Sequence, residues 1–312
     1  MQTVEYSFAM ANAHADLKAV AKSEALSNAE GGVVKKNLRI NRHGANIKFL
    51  QRGEIMEPVL YTVVDGVATI TLNKPESLNA MSMDLVNGVI DSLFDAEKDP
   101  AVRVIILTGT GRAFSAGGDL NSLDGLSTDD EREFFIAEVG RMVHTIYYLR
   151  KPVIAKVNGV AAGAGFNLAL ACDFIYAVDT AKFVQSFVNV GLSPDCGGFY
   201  LLSQAVGLHK AKELMLLAVP VTAAEGERLG FVNGIFTADE LDAKVEELAG
   251  VLKAKAPLAI KYTKEGLNEF GDALDIALEY ESKTSAQLLG TADFQEGVAA
   301  FKEKRQADFK GE

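Results

Sequence analysis

Gly109-Thr-Gly-Arg-Ala-Phe-Ser-Ala-Gly-Gly-Asp119 and Asn158-Gly-Val-Ala-Ala-Gly-Ala-Gly165 are the stretches on which the reading of this chain turns. The first follows the apolar run Val102–Thr108, the second the apolar run Val153–Val157. Both runs predict buried strands, so each loop is a strand exit crowded with small residues. Small residues let backbone approach a ligand closely, and N–H groups at a helix start favour negative charge. Phe166 to Cys172, just after the second loop, predicts such a helix.

Rival motifs fail at particular residues. Gly109-x-Gly111 has Phe114 where the dinucleotide fingerprint needs its third glycine, and no Gly-Lys-Ser/Thr follows either loop. Ala113-Phe-Ser115-Ala-Gly117 looks like a nucleophile elbow lacking its first glycine. Neither His144 nor His209 stands where a hydrolase triad puts its late histidine.

Working outward, Val59–Val64 and Val67–Leu72 are β-branched runs joined at Asp65-Gly66, a hairpin signal. Met83–Glu97 and Thr128–Leu149 have helical spacing, the latter with Ser127, Thr128 or Asp129 as cap. Alternation of this kind predicts an α/β core with largely parallel pairing. Asp239–Lys255, Pro257–Phe270 and Phe294–Phe309 predict helices, so the chain is all helical from about residue 240.

Composition bounds the function. The 312 residues are 48% hydrophobic and 23% charged, ordinary for a folded domain. A formal net charge of −11 argues against nucleic-acid binding, which needs a basic footprint. No apolar run reaches the roughly 18–20 residues of a membrane span, and Met1-Gln-Thr-Val-Glu lacks the order of a secretory signal. Cys172 and Cys196 form no disulfide framework or zinc spacing, and His14, His43, His144 and His209 are scattered. A reducing cytoplasm and no catalytic metal are the expectation.

Residues 1–55 stand apart. Ala9–Ala29 is Ala-rich, whereas Gly31–Arg52 mixes Lys, Arg, Asn and Gly without periodicity. Two explanations stay open. Translation naturally starts at Met56, Arg52-Gly53-Glu54 being encodable by a purine-rich ribosome site; or the segment is a genuine disordered or docking extension.

Taken together, the motifs resemble the crotonase (enoyl-CoA hydratase/isomerase) superfamily. Leu72-Asn-Lys-Pro-Glu-Ser-Leu-Asn-Ala-Met81 is similar to its adenine-side loop, and Phe114-Ser-Ala-Gly-Gly-Asp-Leu120 to its first oxyanion loop. Asn158–Gly165 is similar to the second, continued by Ala171-Cys-Asp173. Gly297-Val-Ala-Ala-Phe-Lys-Glu-Lys-Arg305 resembles its C-terminal helix. The resemblance implies an α/β spiral of ββα units (ClpP-like) over residues 56–245, with a C-terminal helical trimerisation region over 246–312. It implies a homotrimer or homohexamer, an acyl-CoA substrate, and no cofactor beyond the coenzyme A carried by that substrate. By matched position, the N–H groups of Ala116 and Ala164 would form an oxyanion hole for the thioester enolate, with Gly117, Gly163 and Asp119 shaping it. Lys264, Phe301 and Lys304 match positions that contact coenzyme A, the last two across a subunit boundary.

The sequence departs from the hydratase pattern where the catalytic glutamates should stand. Asn167 and Phe187 occupy those positions, and neither transfers protons. Gly191-Leu-Ser-Pro-Asp-Cys-Gly-Gly198 is instead similar to a stretch of phenylacetate-pathway enoyl-CoA isomerases whose aspartate is the base, which points to Asp195. Phe187, Val188 and Phe199 are expected to desolvate it and raise its pKa. Asn167 would orient substrate or a water, or cap its helix. The leading expectation is a shift of a 3-enoyl-CoA double bond to position 2. The alternatives are isomerisation of an epoxide-bearing phenylacetyl-CoA to an oxepin, hydration, and an idle acyl-CoA-binding protein.

Overall fold

The computed structural model describes residues 57–269, 272–305 and 307. The extension 1–55 and the predicted helix ends at Phe270 and Phe309 lie outside the described residues. β1 (Val59–Val64) and β2 (Val67–Leu72) pair antiparallel around Asp65 and Gly66. Both turn residues have positive φ, 46° and 75°, as a tight hairpin requires. Ala68, Ile70 and Leu72 alternate into the core.

A repeated pattern follows α1 (Met83–Lys98). β3 (Val104–Gly109) and β4 (Ala113–Ser115) lead to α2 (Leu120–Asp124) and α3 (Asp129–Tyr148). β5 (Val153–Val157) and β6 (Val160–Ala162) lead to α4 (Ala164–Leu170). β7 (Phe174–Val178) and β8 (Lys182–Val184) lead through the turn Phe187–Val190 to α5 (Gly198–Val206) and α6 (Leu208–Leu217). In each repeat the first strand enters a six-stranded sheet, ordered β1-β2-β3-β5-β7-β10, and the second enters a four-stranded sheet, ordered β4-β6-β8-β9. From β2 through β10 the first sheet is parallel. That is the expected α/β spiral of ββα units, and it puts the strand exits of successive repeats side by side.

β9 (Val221–Thr222), α7 (Ala223–Leu229), β10 (Gly234–Phe236) and α8 (Ala238–Lys253) complete the spiral. Leu241, Val245 and Ala249 bury one face of α8 against β3, β5, β7 and β10. The boundary expected at residue 245 therefore falls inside a continuous helix that belongs to the sheet layer. α9 (Pro257–Glu269), α10 (Asp272–Leu289) and α11 (Ala292–Glu303) follow, and α10 packs along α3. Thr128 caps α3 in a capping box with Glu131. The core side chains of α1, from Leu85 and Val86 to Leu93, are at most 1% exposed. Each such aliphatic contributes roughly 1.5–3 kcal/mol on burial.

Candidate active site

The two glycine loops meet. A Cβ on Gly117 would lie 2.7 Å from the Ala162 carbonyl oxygen and 3.3 Å from the Ala164 nitrogen, and Gly117 has φ of 91°. A side chain there would be strained and would separate the loops. Behind them, any side chain on Gly165 would collide with the Ser115 carbonyl. Asn79, fully buried, ties the first loop down from the adenine-side segment. Its Nδ2 donates to the carbonyls of Thr110, Ala113 and Phe114 at 2.9–3.2 Å.

Where the loops meet, a cavity of about 540 Å³ opens. Ala116, Gly117, Gly118, Asp119, Gly163, Ala164, Phe187, Asp195 and Phe301 are among its walls, with apolar Leu123, Phe135, Val139 and Leu192. The structure thus brings together most of the residues expected at the site. Phe187 is buried, Phe301 is exposed at the rim, and both line the cavity. Asp119 caps α2, accepting from the Asn121 and Ser122 amides and the Ser122 hydroxyl. Its place is that of a loop buttress.

The main-chain donors differ from the expectation. The Ala116 N–H donates to the Leu78 carbonyl at 2.9 Å, the Gly117 N–H to Ser115 Oγ at 3.2 Å, and the Asp119 N–H to the Met81 carbonyl at 3.2 Å. Among the described residues, the Gly118 N–H has no partner, nor has the Ala164 N–H at the first position of α4. Ala116 is therefore corrected to Gly118 as the unengaged amide of its loop. The reason is the Leu78 carbonyl, which Leu78 and Asn79 present by adopting consecutive left-handed conformations (φ 55° and 57°).

Asp195 sits on the segment between the turn Phe187–Val190 and α5, 7% exposed, with its side chain among the cavity walls. Its Oδ1 has no hydrogen-bond partner among the described residues. Burial pushes its pKa up to about 7, against a lowering contact with the Cys196 thiol. The apolar groups around it are Phe187, Leu192, Phe135 and Val139. Val188 and Phe199, expected to do this, line a separate apolar groove with Leu208 and Met215.

Three expected contacts lie elsewhere. Asn167 is fully buried and does not line the cavity: Nδ2 donates to the Asp195 carbonyl at 2.7 Å and Oδ1 accepts from Gln185 Nε2 at 2.7 Å. It holds the loop that carries Asp195 and touches no substrate space. Lys264 is buried on α9, with Nζ 2.7 Å from Asp173 Oδ2 and 3.2 Å from the Ile146 carbonyl. Those partners, near the start of β7 and the end of α3, keep its ammonium from the cavity. Lys304 ends α11 in a left-handed conformation, exposed and outside the cavity walls. The nucleophile-elbow alternative also fails on geometry, because the Ser115 hydroxyl is fully buried and donates to the Asn79 carbonyl at 2.8 Å. Among the described residues, no group of His, Cys, Asp and Glu could hold a metal, and no helix is long and apolar enough to cross a membrane.

The enoyl-CoA hydratase/isomerase family matches residues 62–312. The chain belongs to the enoyl-CoA hydratase/isomerase family. A crotonyl-CoA hydratase of Syntrophomonas wolfei is 36% identical over 256 residues, covering 81% of this chain and 98% of that protein. The 1,2-epoxyphenylacetyl-CoA isomerase of Escherichia coli is 35% identical over 261 residues, covering 82% of this chain and all (100%) of the relative. A crystal structure of an enoyl-CoA hydratase from Mycobacterium avium subsp. paratuberculosis superposes with a TM-score of 0.75 at 35% identity, over 81% of this chain and 98% of that one. The relatives' names include both a hydratase and an isomerase.

Proposed function

We propose that this protein is an enoyl-CoA isomerase that moves a double bond from position 3 to position 2 with Asp195 as a single proton carrier. The observation that supports this reading is one buried carboxylate among the walls of a largely apolar cavity, its Oδ1 without a hydrogen-bond partner among the described residues, together with two unengaged main-chain amides. Asp195 takes a proton from C2, and the C–H electron pair flows into a dienolate whose charge rests on the thioester oxygen. The Gly118 and Ala164 N–H groups meet that oxygen already oriented, which is the efficient form of electrostatic stabilisation. The protonated Asp195 then returns the same proton to C4 and the new double bond forms between C2 and C3. Proton and electrons balance within substrate and protein, so the coenzyme A of the thioester is the only cofactor portion the step uses.

Hydration calls for a second proton-transferring group. Glu76 is exposed and Asp119 caps α2, so neither supplies one. Isomerisation of 1,2-epoxyphenylacetyl-CoA is the second reading, favoured by the similarity to the Escherichia coli enzyme. Assembly as a homotrimer or homohexamer in the cytoplasm accompanies either reading. Exposed Leu258, Tyr262 and Leu267 on α9 and Leu216 and Leu217 on α6 support it. The test is Asp195→Asn. Loss of isomerisation by about 10²–10⁴-fold with acyl-CoA binding retained is expected; preserved turnover overturns the assignment.

A further inference from the structure

Asp195 stands two residues before Gly197, the N-cap of α5. Unpaired amides at a helix start ordinarily stabilise a nearby carboxylate and make it a poor base. Here the Gly198 N–H donates to the Asp195 carbonyl at 2.9 Å, and another acid takes the amides on either side of it. Glu281, on α10 and 1% exposed, accepts from the Gly197 N–H at 2.6 Å and from the Phe199 N–H at 3.3 Å. The intervening turn is left-handed at Cys196 (φ 55°) and Gly197 (φ 71°), a conformation a non-glycine residue keeps only when its surroundings impose it. Glu281 grips this turn by its amides while Asn167 grips the Asp195 carbonyl at 2.7 Å.

We propose that Glu281 is a positioning residue of the reaction: it holds the 196–197 turn through the Gly197 and Phe199 N–H groups, so that neither amide is left to stabilise the Asp195 carboxylate that faces substrate. This rests on the reading of Asp195 as the proton carrier. The basic groups nearby are held by other acids. In the groove beside Glu281 and Cys196, Glu133, Arg141 and His144 come from α3 and Glu279 and Lys283 from α10. Arg141 pairs with Glu138 and Lys283 with Glu279, and His144 Nε2 lies 3.2 Å from Asp275 Oδ1, so none of these groups is directed at Glu281. On the cavity side the charged wall residues besides Asp195 are Glu76, Asp119 and Arg112. Burial pushes Glu281 up to about 8, and the Asp195 charge adds to that rise. Two such carboxyl groups titrate as a pair.

The first test is the pH profile of isomerisation for Glu281→Gln. Glutamine can accept from one amide but turns a donor toward the other, which releases that amide toward the Asp195 carboxylate. Asp195 then ionises more readily: the acid limb of kcat/KM moves to lower pH, kcat falls about tenfold, and KM stays within about twofold. Glu281→Asp is expected to restore part of the rate. An acid limb at the wild-type pH with kcat within about twofold overturns the proposal. A second measurement does not depend on that variant folding. In ¹³C-carboxyl NMR of the full chain, the Glu281 resonance should titrate at lower pH in Asp195→Asn than in wild type; an unmoved midpoint also overturns the proposal. Turnover retained by Asp195→Asn would instead remove the proton-carrier reading itself, so the two failures are separable.

Discussion

At the scale of single residues, the chemistry is set by which polar groups are satisfied and which are left facing the cavity. Asn167 is the instructive case, because it occupies a hydratase glutamate position yet donates to the Asp195 carbonyl and accepts from Gln185. A carboxylate there could not donate, and the space is closed by Gly198, where an added Cβ would strike the Asn167 side chain. Asn167→Glu should therefore not confer hydration of crotonyl-CoA. The Asp195 carbonyl would keep the Gly198 N–H at 2.9 Å but face a buried carboxylate in place of its side-chain donor, at an expected cost of about 1–3 kcal/mol, read as a Tm lowered by several degrees. Hydration above background would show that this position faces substrate after all. The identity of Asn167 was plain in the sequence. Its partner was not, since the Asp195 carbonyl lies twenty-eight residues on and only the fold brings it within 2.7 Å.

At the scale of elements, the strands, the hairpin and both glycine loops were legible because local pattern dictates them. Val59–Val64 and Val67–Leu72 form as read, and Val153–Val157 has the expected ends. Which amide of the first loop stays free was not legible. It depends on the Leu78 and Met81 carbonyls, more than thirty residues upstream, and these engage Ala116 and Asp119 while sparing Gly118. Glu281 was missed for a similar reason: on a helix with Glu279 and Lys283 it has the pattern of a solvated face. Two predictions belong at this scale. Proline is tolerated at the first position of a helix, so Ala164→Pro should delete one donor and keep the fold; kcat is expected to fall about 10²–10³-fold. An unchanged kcat would exclude that amide from the reaction. Lys264→Met should destabilise the protein by about 3 kcal/mol by leaving Asp173 with the Val153 N–H and no ion partner, measured by urea unfolding, with KM for acyl-CoA unchanged. A raised KM with unaltered stability would return Lys264 to the binding site.

At the scale of the whole molecule, the spiral brings strand exits from successive repeats to one cavity, and α10 carries a second acid to the turn that follows Asp195. Two buried acids have a thermodynamic consequence. Asp195 has its pKa raised from 3.8 to about 7, and Glu281 from 4.5 to about 8. A raised carboxyl pKa means that the folded state holds the proton more tightly than the unfolded chain. This contribution to stability is therefore fully present below about pH 4 and is lost as pH rises through 7 to 8. Asp195→Asn removes one such group. Its stability relative to wild type should be near zero difference at pH 4 and grow to about 2–4 kcal/mol in favour of the variant at pH 8. A difference that does not change with pH would mean Asp195 is ordinarily acidic in the fold. The central claim concerns the reaction, and product identity tests it most directly. Wild-type protein is given 3-hexenoyl-CoA and crotonyl-CoA in parallel, with absorbance and product mass followed in each. The account predicts a conjugated product of unchanged mass from the first and no product from the second. Crotonyl-CoA gaining the mass of one water at a comparable rate would contradict it.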